Sequence, residues 1–110
     1  MERSVLLDID GVLTVSWRPL PGAVETIQWL QEQDIDFRLV TNTSSRSRRQ
    51  ITALLAEAGM EVDASMIQTA ATSAARHIVD NYPGVGCFVV NEGDLEDLES
   101  LIMLGQMEMR

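Results

Sequence analysis

Asp8 and Asp10 stand two residues apart at the end of a short apolar run, in the stretch "SVLLDIDGVLT" at residues 4–14. Residues two apart in extended backbone project to the same side, so the pair can present two carboxylates to one ligand. Close carboxylates repel unless a cation neutralises them, and Mg²⁺ suits them, being hard and satisfied by carboxylate, carbonyl and water oxygens. Such a pair can carry out phosphoryl transfer, with one carboxylate as nucleophile and its neighbour as acid and base on a metal-bound phosphate. Gly11 allows the chain to turn away just beyond them. Solvated turn aspartates would look the same, and D-x-D-G alone does not choose. An EF-hand loop is excluded, because it needs glycine at the sixth position, where Leu13 stands.

A second apolar run, "IDFRLVT", also ends in a polar residue, Thr41. Its hydroxyl can donate to a phosphoryl oxygen if the two strands are neighbours. The amides of residues 42–45 lie at the start of a helix, where anions bind readily. Thr43, Ser44 and Ser45 read as hydroxyls that cap this helix.

The elements that must position these residues follow from the apolar period. Val5–Leu7 reads as a short buried strand, and Pro21-Gly22 opens a helix with Val24, Ile27 and Leu30 on one face. The strand ending at Thr41 alternates Ile35, Phe37 and Leu39. A helix with Ile51, Leu54, Leu55 and Ala58 follows, closed by Gly59. Another begins near Thr69 to Thr72, turns Ala71, Ala74, Ala75 and Ile78 inward, and is broken by "YPG". "VGCFVV" makes a third strand. Asp94 then caps a last helix with Leu95, Leu98, Leu101 and Ile102 on one face. The order β-α-β-α-α-β-α predicts an α/β fold, a Rossmann-like parallel sheet with flanking helices. Sites in such folds form beyond the carboxyl ends of strands, where Asp8, Asp10 and Thr41 all fall.

Composition narrows the function classes. The 110 residues carry 17 acidic and 8 basic side chains, a formal charge of −9, with 45% apolar residues, enough for one core. That balance argues against a nucleic-acid or membrane partner and favours a cytoplasmic protein. One cysteine, Cys87, excludes an intramolecular disulfide and reads as a buried strand thiol. No signal peptide and no apolar run of the roughly 20 residues that span a bilayer is visible. Arg46, Arg48 and Arg49 form the one basic cluster and read as solvated, His77 as a surface or packing residue, and Trp17 as a side chain able to shield the site.

On these residues the chain resembles the haloacid dehalogenase (HAD) superfamily of phosphohydrolases. "LLDIDGVLT" looks like its motif I and "FRLVTNTSSRS" like its motif II, with the closest match to the NagD-like branch. Further similarity lies in "PLPGAVETIQWL", "LLAEAGMEVDASMIQTAATSAARHI" and "CFVVNEGDLEDLE". The resemblance implies a HAD-like core and a Mg²⁺-dependent phosphomonoester hydrolase working through an aspartyl-phosphate. Asp8 would be the nucleophile and Asp10 the acid and base, with Asp8 and the Asp10 carbonyl holding the ion. Thr41, Asn42 and Gly11 would meet the substrate, a phosphorylated small molecule, and residues 11–20 would form a mobile loop beside it.

The sequence departs from the family at two motifs. Its eight basic residues are all arginine, so the motif III lysine that steadies phosphate and nucleophile is absent. "GDLEDLE" superficially resembles the acidic motif IV but reads as the capped start of the last helix. Residues 1–110 are therefore expected to be an incomplete HAD-like core domain, without the cap domain and without motifs III and IV. The strand bearing Asp8 would lie at a sheet edge, which invites self-association. The alternative function is a non-catalytic domain that binds phosphate or a partner.

Overall fold

The structure, a computed structural model, describes residues 4–43, 45–91 and 93–108. Strand β1 (Ser4–Asp8) leads into a small antiparallel hairpin, β2 (Thr14–Val15) and β3 (Arg18–Pro19). Helix α1 (Ala23–Glu32), strand β4 (Asp36–Thr41) and helix α2 (Arg48–Glu57) follow. Then come strand β5 (Ile67–Thr69), helix α3 (Ala70–Asn81), and strands β6 (Gly86–Asn91) and β7 (Ile102–Glu108). The central sheet is parallel in the order β1-β4-β5, while β6 and β7 pair in parallel as a separate two-stranded sheet.

Alternation along β4 sends Phe37 and Leu39 into the core, where Ile27 and Leu30 of α1 meet Ile51 and Leu55 of α2. Ile9 is fully buried in the same cluster, and it is the residue that separates the two aspartates. Its burial fixes the facing of its neighbours: with Ile9 turned inward, Asp8 and Asp10 are left exposed. As expected, β1 lies at the edge of the sheet among the described residues, and Leu6 is 70% exposed. Gly59, at φ +96, ends α2 as its period predicts. Thr69 caps α3 through a reciprocal pair of hydrogen bonds with Thr72. Of the α3 residues expected inward, only Ala75 is fully buried, and Ala74 is exposed. No helix among the described residues is long and apolar enough to cross a membrane.

Several expectations are corrected. Helix α2 is capped by Ser47 in a box with Gln50, not by Thr43 or Ser45; Ser44 lies outside the described residues. Pro21 precedes the α1 N-cap, Gly22, whose φ of +86 makes the turn into the helix. The third strand does not extend the sheet that carries Asp8. The last helix shrinks to one 3-10 turn, Glu96–Leu98, after which residues 102–108 pair with β6. Its first-turn acid, Asp97, is engaged by α2, and the backbone beyond finds a strand ladder, so tertiary pairing overrides a helical apolar period. Cys87 is half-buried rather than buried. His77 packs as expected, edge-on to Tyr82 with ring centroids 6.0 Å apart.

The Thr14 hydroxyl is buried with no hydrogen-bond partner among the described residues. An unpaired buried hydroxyl costs free energy that an isosteric methyl does not. Thr14→Val is therefore expected to raise stability in urea unfolding by about 1 kcal/mol.

Candidate active site

Parallel pairing of β1 and β4 places Asp8 opposite Val40, so Thr41 comes one residue beyond, at the same end of the sheet. β5 pairs with the far side of β4 and sets Thr69 opposite Thr41. Three strand ends thus converge, and only the first two were expected to do so.

The turn after Asp8 wraps around one carbonyl. The amides of Val12, Leu13 and Thr14 all approach the Ile9 oxygen, at 3.4, 3.0 and 3.0 Å. Gly11 sits in this turn at φ +81 and donates its amide to the Thr14 carbonyl at 2.8 Å. An added Cβ would meet no atom within 4 Å, so the positive φ, not lack of space, is what calls for glycine.

The Thr41 hydroxyl donates to Asp10 Oδ2 at 2.9 Å and accepts from the Thr43 amide at 3.3 Å. This relay ties the second carboxylate to the loop leaving β4. Asp8 and Asn42 face a cleft of about 520 Å³ bounded by Thr41 and, from β5 and α3, by Gln68, Thr69 and Ser73. Gln68 is held there by its amide, which donates to Ser73 Oγ at 2.7 Å. Asp10 and Gly11 do not line this cleft; Asp10 stands beside it, through Thr41. No basic side chain borders it among the described residues.

The wall from β5 and α3 was missed in the sequence as part of the site. A three-residue strand is too short to show a period, although the cap at Thr69 was legible. Arg46 is exposed, as expected, and its guanidinium also lies 5.4 Å from the centroid of the Trp17 ring. That contact joins the β2–β3 hairpin, where Ser16 and Trp17 both have positive φ (50° and 64°), to the loop after Thr41. The other two arginines of the cluster are paired, Arg48 with Asp97 and Arg49 with Glu96, each at 3.2 Å. A second cavity, about 380 Å³, lies beside the Arg48–Asp97 and Arg76–Asp80 pairs.

Asp8 and Asp10 are hard oxygen donors with the open surroundings that suit an ion keeping several of its waters. No group of three or more histidine, cysteine, aspartate or glutamate side chains gathers as a metal cluster among the described residues.

Residues 5–101 match the family model for haloacid dehalogenase-like hydrolases. A dihydroxyacetone phosphatase from Corynebacterium glutamicum is 32% identical over 92 residues, which cover 84% of this chain and 34% of the relative. The chain thus spans about a third of that relative's length. The solved structure of NagD from Escherichia coli K-12 superposes with a TM-score of 0.79 at 30% identity, over 89% of this chain and 39% of NagD. A glycerol phosphate phosphatase from Mycobacterium tuberculosis, solved with magnesium, superposes with a TM-score of 0.74 at 26% identity, over 93% of this chain and 31% of that one.

Proposed function

The chain belongs to the haloacid dehalogenase-like hydrolases, in their NagD-like branch, and from that footing we propose that it carries the nucleophile half of a magnesium-dependent phosphomonoester hydrolase. The observation that supports this most is the convergence of Asp8, Asp10 and Thr41 at one end of the parallel sheet, with Thr41 bonded to Asp10.

In this reading an Asp8 carboxylate oxygen attacks phosphorus as the bond to the leaving oxygen breaks. Asp10 gives that oxygen a proton, then takes one from the water that attacks the aspartyl-phosphate. Breaking the bond between phosphorus and the Asp8 oxygen releases inorganic phosphate and restores the carboxylate. The hydrogen bond from Thr41 occupies Asp10 Oδ2 and leaves Oδ1 for the proton. Thr41 and Asn42 border the phosphoryl group, and Gly11 sets the turn that carries Asp10 past the strand end. Asp8 and the Asp10 carbonyl would hold Mg²⁺, which when bound supplies positive charge against the phosphate oxygens. The substrate is a phosphorylated small molecule.

The test is hydrolysis of p-nitrophenyl phosphate by the 110-residue chain with Mg²⁺. Turnover is expected to stop when EDTA removes the metal and to return when Mg²⁺ is restored. Turnover that ignores EDTA would exclude this chemistry. A second reading, binding of phosphate without turnover, is favoured by the lack of a cationic side chain on the Asp8 cleft among the described residues. Phosphoryl transfer depends on charge stabilisation. Phosphate binding with no nitrophenol released would select that reading.

A further inference from the structure

The turn at residues 93–97 touches the loop leaving Thr41 at successive points. The Asp94 amide donates to the Ser45 carbonyl at 3.3 Å. Gly93 lies so close that an added Cβ would fall on that same carbonyl oxygen, and its φ is +110. Glycine alone lets the two backbones meet there. Asp97 Oδ2 accepts from the Arg48 amide at 2.7 Å, and Oδ1 accepts from Arg48 Nε at 3.2 Å. That amide is one of the orphan donors at the start of α2, and a carboxylate suits the positive end of the helix. The Asp97 side chain is only 10% exposed. Asp94 shapes the turn, its Oδ1 accepting from the Glu96 amide at 2.6 Å. By contrast, the Glu96–Arg49 pair is solvated and contributes little.

We propose that this turn is a brace that sets the position of residues 45–48 and, through Ser45, of Thr43, with Gly93 and Asp97 as positioning residues for the phosphate pocket. The pocket half of the inference rests on the function proposed above. The brace holds the loop at Ser45 and Arg48, and Trp17 holds it at Arg46 from the other flank. On the strand side of those points Thr43 Oγ1 lies 3.4 Å from Ser45 Oγ, and the Thr43 amide reaches the Thr41 hydroxyl, which reaches Asp10. Releasing the brace therefore loosens a relay that neither Gly93 nor Asp97 touches.

Amide hydrogen exchange and titration with inorganic phosphate in Mg²⁺, both followed by NMR on the 110-residue chain, test this. In Asp97→Ala and Gly93→Ala the Thr43 amide should exchange about tenfold faster, and phosphate should bind about tenfold more weakly. Asp97→Asn should recover part of both, since its side-chain carbonyl still accepts from the Arg48 amide, and Glu96→Gln should change neither. Thr43 exchange that stays unchanged, or that moves only in step with the core amides of Leu39 and Ile51, would overturn the brace. Faster exchange with unaltered phosphate affinity would overturn the role of Gly93 and Asp97 in positioning the pocket. If the unsubstituted chain shows no response to phosphate, the function proposed above fails, and Thr43 exchange still decides the brace.

Discussion

Asp8→Asn is expected to abolish release of p-nitrophenol from p-nitrophenyl phosphate, by at least about a thousandfold in turnover. The substitution keeps the shape of the side chain but replaces the carboxylate with a neutral amide, whose remaining oxygen is too weak a nucleophile to form the acyl phosphate. Asp10→Asn should behave differently. p-Nitrophenol departs as a stable phenolate and needs no proton from Asp10, so the first step survives while the water that ends the cycle is no longer activated. Rapid mixing should then give a burst of about one nitrophenol per chain followed by a stall, the mark of an accumulating covalent intermediate. Asp8→Asn should give no burst. A burst from Asp8→Asn would rule out Asp8 as the nucleophile, whatever the steady-state rates.

The largest effect on stability is expected at Phe37, which is 2% exposed at the centre of the core. Phe37→Ala should cost about 3–5 kcal/mol in urea unfolding, through lost burial and the cavity left behind. Domains of this size are commonly stable by only about 5–15 kcal/mol, so the variant would be close to unfolding. Phe37→Leu keeps most of the volume and should cost far less. Because β4 carries both Phe37 and Thr41, partial loss of this strand would also separate Thr41 from Asp10. A loss below about 1 kcal/mol for the alanine variant would show that the site collapses around the cavity.

The sequence was most legible where a local rule and tertiary packing agree. Phe37 and Leu39, two apart across Arg38, are buried; Gly59 follows the last helical residues and ends the helix. Asp8 and Asp10 flank an apolar residue, and that residue is buried. Agreement fails where contacts distant in sequence decide. Leu95, Leu98, Leu101 and Ile102 have helical spacing, yet Asp97 bonds to Arg48, 49 residues away, and Ile102 begins a strand. β5 has three residues, too few for any period, and its role comes from pairing with β4. The stacking of Arg46 on Trp17 joins two loops that carry no apolar pattern to announce it.

The edge position of β1 also has a dynamic consequence. The strand is not held equally along its length. Just beyond its far end Ile9 is buried in the core and donates to the Val40 carbonyl at 3.1 Å, while at its start exposed Ser4 pairs with Asp36 in the ladder and through a solvated side-chain hydrogen bond. Local opening therefore has a direction: it runs in from Ser4 past exposed Leu6 and meets its highest resistance at Ile9. The carboxylates on either side of Ile9 can keep their facing while the rest of their strand breathes. Asp8 thus ends the strand at the edge of the sheet, one residue before the buried anchor of Ile9.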